Sequence, residues 1–170
     1  MPMPGATHFS RSLSRRNLLL GSLAATLTAG CATARRAASP TVLFVCEFGT
    51  AKSAISRELF RRRARDRRIA VTTFSRGLKI EDHVSSLLRQ RLAAEGINPA
   101  ADTPKVLGPR DWRRAEIVIA FNPLPPEVPA AKVRDWTDLP SINDDYARTR
   151  AMLDQRLEAL LDEIAARAAA

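Results

Sequence analysis

The sequence contains little cysteine and little histidine, and this scarcity excludes several kinds of site. Only Cys31 and Cys46 are cysteines among its 170 residues, so a small domain held together by several disulfides is excluded. Two residues are histidines, and no group of His, Cys, Asp and Glu has the spacing of a metal site. We therefore expect a chain that binds no metal and needs no cofactor. Internal repeats and low-complexity domains are also absent.

Acidic residues are missing from the first forty positions, which carry five arginines. Removing these five from the 27 basic residues leaves 22 against 18 acidic residues, so the net charge falls from +9 to +4. The basic balance is therefore partly a property of the N-terminal segment and supports nucleic-acid binding only weakly. We expect no nucleic-acid partner.

The N-terminal segment also lacks an apolar run long enough to span a bilayer, which takes about 20 residues. Its apolar stretch covers only residues 18–29. The stretch overlaps the end of Ser14-Arg15-Arg16-Asn17-Leu18-Leu19, a sequence that resembles a twin-arginine export motif. These features predict an exported bacterial protein.

A lipoprotein-type processing site is the second feature of this segment. Leu27-Thr28-Ala29-Gly30-Cys31 predicts lipidation of Cys31, and Ala32-Thr33-Ala34 is an alternative cleavage site. We expect residues 1–31 to be the signal and residues 32–40 to be a linker. The protein is then periplasmic or tethered to a membrane through Cys31. Cys46 has no partner left in that case, so no structural disulfide is expected.

Apolar patterns predict strands that alternate with helices. Fully apolar runs at residues 42–45 and 117–121 are typical of strands buried on both faces. A β-prone run follows at residues 70–74, and a short strand is predicted at Val133. Helical spacing predicts helices over residues 53–68, 83–95 and 144–168, a helical turn over 111–115 and a proline-rich loop over 123–129.

This alternation predicts an α/β domain over residues 41–170, in which helices cover both faces of a parallel sheet. Ligands of such domains bind beyond the carboxyl ends of the strands. Cys46 lies in that position, directly after the first apolar run.

The segment after Cys46 leads from a strand through a tight loop into a helix. Such a loop turns backbone N–H groups toward one point, and the helix dipole adds partial positive charge there. An anion would bind at that point, and the same charge favours the thiolate form of a cysteine. The alternative interpretation is that Cys46 is a small hydrophobic residue that ends a buried strand.

Three residues of the loop favour the reactive interpretation. Gly49 can adopt a positive φ, Lys52 places a cation six residues after the thiol, and Ser53 can cap the helix while donating its hydroxyl to a thiolate. We therefore predict a cysteine nucleophile beneath a phosphate-sized oxyanion. The predicted cradle consists of Glu47, Phe48, Gly49, Thr50, Ala51, Lys52 and Ser53.

Two further features carry milder expectations. Seven arginines lie between positions 57 and 68 against Glu58 and Asp66. This run indicates either a solvated helix face or a docking patch for an acidic partner or an anionic membrane. His83 lies at a predicted helix start and is expected to be a surface residue.

The loop resembles that of the low-molecular-weight protein tyrosine phosphatase family, which includes thioredoxin-coupled arsenate reductases. That family's signature is a cysteine, five residues and then Arg-Ser, directly after the first strand. Cys46 and Ser53 match it, with Lys52 at the arginine position. Segments similar to others of the family lie at residues 74–77, 92–97 and 115–122. The resemblance implies a three-layer αβα fold with a central four-stranded parallel sheet.

Several positions depart from the family pattern. Arginine binds a phosphoryl group through paired hydrogen bonds, whereas Lys52 offers a point charge. Gly49 replaces an asparagine that braces the family's loop, and Phe48 replaces a glycine. Ala51 stands where many members have a second cysteine. The aromatic residues that commonly flank phosphotyrosine are missing near Pro140.

The resemblance implies hydrolysis of phosphate monoesters, phosphotyrosine among them, on a small molecule or a phosphoprotein. Cys46 would attack phosphorus, and the cradle with Lys52 would hold the oxygens. Asp138-Leu139-Pro140 is similar to the family's Asp-Pro pair with one residue inserted, which implies that Asp138 is the general acid. Asp135 and Asp144 are the alternatives.

Four other functions compete with this one. Arsenate reduction needs further cysteines to relay a disulfide, and no cysteine follows Cys46. A module that binds phosphate without turnover fits Lys52 and Gly49. A IIB-type phosphocarrier shares the spacing of the loop, but its phosphoryl donor is cytoplasmic, which conflicts with export. An interaction protein that uses the arginine-rich helix is the fourth.

Overall fold

The computed structural model describes residues 39–169. The predicted signal (residues 1–31), Cys31 and most of the predicted linker therefore lie outside the described residues. Among residues 39–169, no helix is both long enough and apolar enough to cross a membrane.

Strands and helices alternate along the described residues, as predicted. They are β1 (Thr41–Cys46), α1 (Lys52–Asp66), β2 (Thr72–Gly77), α2 (Ser86–Ala94), α3 (Pro109–Arg114), β3 (Ile117–Ala120), β4 (Val133–Asp135) and α4 (Tyr146–Ala169). Single 3-10 turns lie at Pro99–Ala101 and Ala130–Lys132.

The strands form one parallel sheet in the order β2-β1-β3-β4. β1 is central, so that Val45 pairs with Arg76 on one side and with Ala120 on the other. A strand paired at both edges and covered on both faces has no solvated side, which explains its unbroken apolar sequence. The predicted fold class is confirmed.

Side chains of β1 alternate between two cores, one on each face of the sheet. Val42 and Phe44 lie in the larger core, to which α1, α2 and α4 contribute. Leu43 and Val45 lie in the smaller core with residues of β2, β3 and α3. Burial of each large apolar side chain contributes roughly 1.5–3 kcal/mol. Both cores therefore hold β1 in place and fix the position of its last residue, Cys46.

β2 lies further along the chain than its apolar pattern predicts. The expected strand covered residues 70–74, whereas the observed one ends at Gly77. Its last three residues pair with the last three of β1, so backbone pairing decides the boundary. Arg76 is accommodated because it forms an ion pair with Asp111 at 2.9 Å and packs on the ring of Phe74.

The arginine run of α1 is solvated only in part. Arg57 is 2% exposed. Its guanidinium donates to Ser75 Oγ at 2.8 Å, to Glu58 Oε1 at 2.9 Å and to the Pro99 carbonyl at 3.2 Å. Burial of an arginine is tolerated when its donors are satisfied in this way. Of the two interpretations of this run, the solvated helix face therefore does not hold at Arg57.

Other arginines of the run connect α1 to α4. Arg63 pairs with Asp154 and, at 2.7 Å, with Glu158. Arg67 pairs with Glu158 at 3.2 Å and with Asp162 at 2.6 Å. These pairs neutralise part of the charge that a docking patch on this helix would present.

Candidate active site

Cys46 ends β1 at the point where the chain changes direction across the sheet. The connection through α1 leads to β2 on one side of β1, whereas β3 pairs on the other side. Open parallel sheets bind ligands at such a switch point, beyond the carboxyl ends of the strands. The thiol is 4% exposed and forms no disulfide among the described residues.

Two polar groups surround the sulfur of Cys46. Ser53 Oγ lies 3.0 Å from Sγ, and the N–H of Gly49 donates to Sγ at 3.3 Å. Both are positioned to stabilise a thiolate. Ser53 is fully buried and does not cap α1 as predicted, because Ala51 is the N-cap residue. Its hydroxyl is therefore free to contact the thiol.

The start of α1 provides donors for an anion. The first N–H groups of an α-helix have no partner within the helix. No side chain caps α1, and its first turn contains no acidic residue. These N–H groups and the helix dipole are therefore available to an anion beside Cys46.

Two glycines allow the loop to pack closely against β2. Gly49 has a φ of +72°, and a Cβ at this position would lie 2.9 Å from the nitrogen of Gly77. A Cβ on Gly77 would lie 2.1 Å from the carbonyl oxygen of Lys79 and 2.8 Å from the nitrogen of Gly49. Backbone atoms cannot move aside as a flexible side chain can. Both positions therefore require glycine.

Cys46 lines a cavity of about 180 Å³ at this end of the sheet. Such a space holds a few water-sized groups, since water occupies about 30 Å³ per molecule in the liquid. The lining residues come from the loop, from the segment before α2 and from the segments after β3 and β4. They are Cys46, Glu47, Phe48, Ala51, Lys52, His83, Asn122, Ser141, Ile142 and Asn143.

Lys52 is the first residue of α1 and brings a cation to the cavity. Its Nζ donates to the carbonyl of Leu139 at 3.2 Å and lies 5.8 Å from the ring centroid of Phe121. Burial lowers the pKa of Lys52, and the negative charge of Cys46 opposes this shift. Lys52 and Cys46 therefore line the same cavity, with the cation on the side of Leu139.

Asp138 does not line the cavity with Cys46. Its carboxylate accepts two hydrogen bonds from Arg156 of α4, at 2.8 and 2.5 Å. The bond from Arg156 lowers the pKa of Asp138, which makes this carboxyl a poor proton donor near neutral pH. The next residue, Leu139, is the one that turns into the core. The structure therefore does not support the predicted acid role of Asp138.

The two alternative carboxyl groups also lie outside the cavity lining. Asp135 accepts a hydrogen bond from the N–H of Thr137 at 2.8 Å, and this bond lowers the pKa of Asp135. Asp144 is exposed. Neither residue is positioned as a proton donor to a group bound over Cys46.

His83 was expected to be a surface residue, and the structure also places it in the wall of the cavity. The residue is exposed, but its ring lies 4.2 Å from that of Phe48, centroid to centroid. The backbone N–H of His83 donates to Thr50 Oγ1 at 3.2 Å, and its backbone carbonyl accepts from Asn143 Nδ2 at 2.8 Å. Both partners are distant in sequence, so no local pattern could indicate this position.

Asn122 is a second residue that sequence reasoning left without a role. Its Oδ1 accepts the N–H of Glu47 at 2.9 Å and so braces the loop from the end of β3. An asparagine directly after a fully apolar run was a usable signal, because such residues meet at the carboxyl edge of the sheet.

Within residues 39–169, no group of three or more His, Cys, Asp or Glu side chains is placed to hold a metal ion.

The chain resembles known proteins in structure rather than in sequence. No protein-family model matches it, and no curated protein matches its sequence. The similar solved structures include YfkJ from Bacillus subtilis, with a TM-score of 0.66 at 16% identity over 78% of this chain and 98% of that one. A low molecular weight protein tyrosine phosphatase from T. tengcongensis has a TM-score of 0.62 at 21% identity, over 74% and 99% of the two chains.

A thioredoxin-dependent arsenate reductase from Corynebacterium glutamicum is also similar, with a TM-score of 0.62 at 22% identity. The match covers 78% of this chain and 65% of the reductase. The fold implied by the resemblance is therefore confirmed: the described residues have the architecture of low-molecular-weight phosphatases. At these identities the likeness extends to the fold alone.

Proposed function

We propose that this chain is a cysteine-dependent phosphatase-like protein that hydrolyses phosphate monoesters through a phosphocysteine intermediate. One observation supports this proposal above the others: the Cys46 sulfur contacts Ser53 Oγ and the Gly49 N–H in a cavity that Lys52 also lines. A buried cysteine that only packs in a core needs neither polar donors nor a cation beside it.

The reaction proceeds in two displacements. The Cys46 thiolate attacks phosphorus, so that a sulfur–phosphorus bond forms and the bond to the leaving oxygen breaks. A proton is transferred to the leaving oxygen. Water then attacks phosphorus and gives a proton back to the group that protonated the leaving oxygen, while the sulfur–phosphorus bond breaks, inorganic phosphate leaves and the thiolate is restored. Ser53 stabilises the sulfur in both steps, as attacking and as leaving group.

The cradle stabilises the charge on the three equatorial oxygens of the phosphoryl group. The N–H groups at the start of α1 point at these oxygens, and Lys52 neutralises them. An ammonium is a point charge, whereas a guanidinium binds two oxygens at once. The hydrogen bond from Lys52 to Leu139 also competes with the phosphoryl group for the cation.

Changing Lys52 tests the proposed function directly. The full chain is expected to hydrolyse p-nitrophenyl phosphate. Loss of the cation in Lys52→Met is expected to lower turnover by about 10²–10³-fold, as for removal of one oxyanion donor. Lys52→Arg is expected to raise it, because the fork binds two oxygens. Steady-state rates of the parent and both variants check this, and a parent without turnover contradicts it.

Proton transfer to the leaving oxygen is the step for which the sequence predicted Asp138, and Asp138 does not line the cavity with Cys46. His83 is one of the titratable residues that line the cavity, and hydrogen bonds of its backbone N–H and its backbone carbonyl hold it there. Glu47 also lines the cavity, but its carboxylate pairs with Lys79 at 3.2 Å. We propose that His83, rather than Asp138, supplies this proton.

The proposed roles of Asp138 and His83 can be distinguished by how strongly the hydrolysis rate of each variant depends on the leaving group. Asp138→Asn is expected to change turnover by less than about threefold, since Asp138 pairs with Arg156 outside the lining. His83→Gln is expected to slow phenyl phosphate by about 10²-fold, as for loss of a general acid. Dinitrophenyl phosphate, whose leaving group needs no proton, should be affected much less. Rates on the two esters check this, and a 10²-fold loss confined to Asp138→Asn contradicts it.

A module that binds phosphate without turnover is the second candidate function. The lysine at the centre of the cradle and the outward carboxylate of Asp138 favour it, because both weaken catalysis more than binding. Lys52-dependent binding of inorganic phosphate by a parent that hydrolyses nothing supports this candidate. We also propose, on the N-terminal sequence alone, that the protein is exported and tethered through Cys31.

A further inference from the structure

A second concave surface lies around α3 and is strongly cationic. We call it the basic concavity. Its volume is about 1020 Å³. The charged side chains that line it are Arg76, Lys105, Arg110, Asp111, Arg113 and Arg114.

The single carboxylate of this lining does not neutralise the cations. Asp111 accepts from Arg76 at 2.9 Å, from the Gly108 N–H at 3.0 Å and lies 3.6 Å from Arg114. Lys105, Arg110 and Arg113 are exposed and form no ion pair within residues 39–169. Three arginines of α1, in contrast, pair with carboxylates: Arg57 and Arg61 with Glu58 and Asp102, and Arg63 with Asp154 and Glu158 of α4. The basic concavity is therefore an unneutralised surface that attracts an anion.

Two guanidinium groups of this surface lie over an aromatic ring. Arg114 lies 3.7 Å from the ring centroid of Phe74, and Arg76 lies 4.8 Å from the same ring. Stacking on an aromatic face restricts a guanidinium while leaving its edge free to bind a carboxylate in a fork. A carboxylate ligand therefore finds part of the site already organised.

The basic concavity adjoins the loop of the candidate active site. Arg76 pairs in register with Val45, one residue before Cys46. The N–H of Gly77 donates to the carbonyl of Lys105 at 3.0 Å, and Gly77 packs against Gly49 of the loop. The basic concavity and the loop of the candidate active site are therefore neighbours through the ends of β1 and β2, which relates a segment bound to the cations to a residue bound over Cys46.

We propose that the basic concavity binds an acidic polypeptide segment. Resting on the proposed function, this segment flanks the phosphorylated residue of a phosphoprotein substrate. A flat lipid surface cannot reach Arg76 at the floor, whose side chain is only 14% exposed. Single-stranded nucleic acid binds through stacked bases, whereas Phe74 and Trp112, the aromatic residues beside these cations in residues 39–169, are both buried, and two arginines lie over Phe74.

Peptide binding tests this proposal without needing turnover. The probe is a fluorescent glutamate-rich peptide without phosphate, compared with the same peptide carrying glutamine for glutamate. Anisotropy is measured with the full chain, with Arg110→Gln/Arg113→Gln, and with the matched pair Arg65→Gln/Arg148→Gln. All four arginines are exposed, so both pairs lose two charges without removing a buried contact.

The first pair is expected to weaken binding of the acidic peptide by about tenfold, because two charge contacts are lost. The control pair should change it by less than about twofold, and the glutamine peptide should bind poorly to all forms. Equal weakening by both pairs overturns the proposal. Tighter binding of phosphatidylglycerol vesicles or of single-stranded DNA than of the peptide also overturns it.

Hydrolysis of p-nitrophenyl phosphate by the same proteins separates this proposal from the proposed function. Turnover is expected to be equal in the parent and in both charge variants, which also shows that they fold. Turnover without selective peptide binding overturns the docking proposal alone. Selective peptide binding without turnover retains the docking site and contradicts the proposed hydrolysis.

Discussion

Replacing Cys46 by serine is expected to lower the hydrolysis of p-nitrophenyl phosphate by at least about 10⁴-fold, as for loss of a covalent nucleophile. A serine hydroxyl is protonated at neutral pH, and the two groups that contact the sulfur are a hydroxyl and a backbone N–H, neither of which is a strong base. The Ser53 hydroxyl and the Gly49 N–H stabilise a negative charge at this position rather than remove a proton. Steady-state rates and mass-spectrometric detection of phosphocysteine in the parent check this result.

Binding of inorganic phosphate is the control for Cys46→Ser. Its donors are the N–H groups at the start of α1 and the Lys52 ammonium, which the substitution leaves in place. Phosphate should therefore bind to the variant at least as well as to the parent, since an anionic sulfur is gone. Turnover that survives in Cys46→Ser means that another group attacks phosphorus.

Two serines of α1 offer a matched pair for the thiol contact. Ser53 and Ser56 are both fully buried and lie one turn apart. Only Ser53 contacts the sulfur, whereas Ser56 Oγ has no hydrogen-bond partner among the described residues. Ser53→Ala should therefore slow turnover while Ser56→Ala leaves it unchanged. Equal rates would mean that the contact with the sulfur is not used.

The sequence predicts the parts of the fold that depend on local pattern. Apolar runs predicted the positions of β1 and β3, because a strand buried on both faces has an almost continuous run of apolar residues. Gly49 and the thiol at the end of β1 could also be predicted, because β1, the loop and α1 follow one another directly in the sequence. What these elements share is that contacts within a short stretch of chain determine them.

Positions set by distant contacts could not be predicted in this way. Arg57 appears in sequence as one of a run of solvated arginines, and its burial depends on Ser75 and Pro99. Asp138 lies at the position expected for an acid, yet Arg156 of α4 binds it outside the cavity lining. His83 lacks any sequence signal, because segments far along the chain hold its backbone. A cavity-lining residue of this kind is found only once the fold is known.

Replacing Gly77 by alanine is expected to have the largest effect on stability, lowering the free energy of unfolding by about 3 kcal/mol or more. The new Cβ would lie 2.1 Å from the Lys79 carbonyl oxygen and 2.8 Å from the Gly49 nitrogen. Relief requires movement of the backbone that joins β2 to the loop, including the hydrogen bond from the Leu78 N–H to the Cys46 carbonyl. Denaturant unfolding measures the loss, and phosphate binding should fall with it.

Gly108→Ala is the matched control, because Gly108 has an extended backbone with a φ of −134°. A Cβ there would come no closer than 3.8 Å, to Asp111 Oδ2. The free energy of unfolding should therefore change by less than about 1 kcal/mol, and phosphate binding should remain. The comparison separates general loss of glycine flexibility from a steric effect on the loop. If Gly77→Ala binds phosphate normally and unfolds like Gly108→Ala, then the contact between β2 and the loop does not hold the cradle in shape.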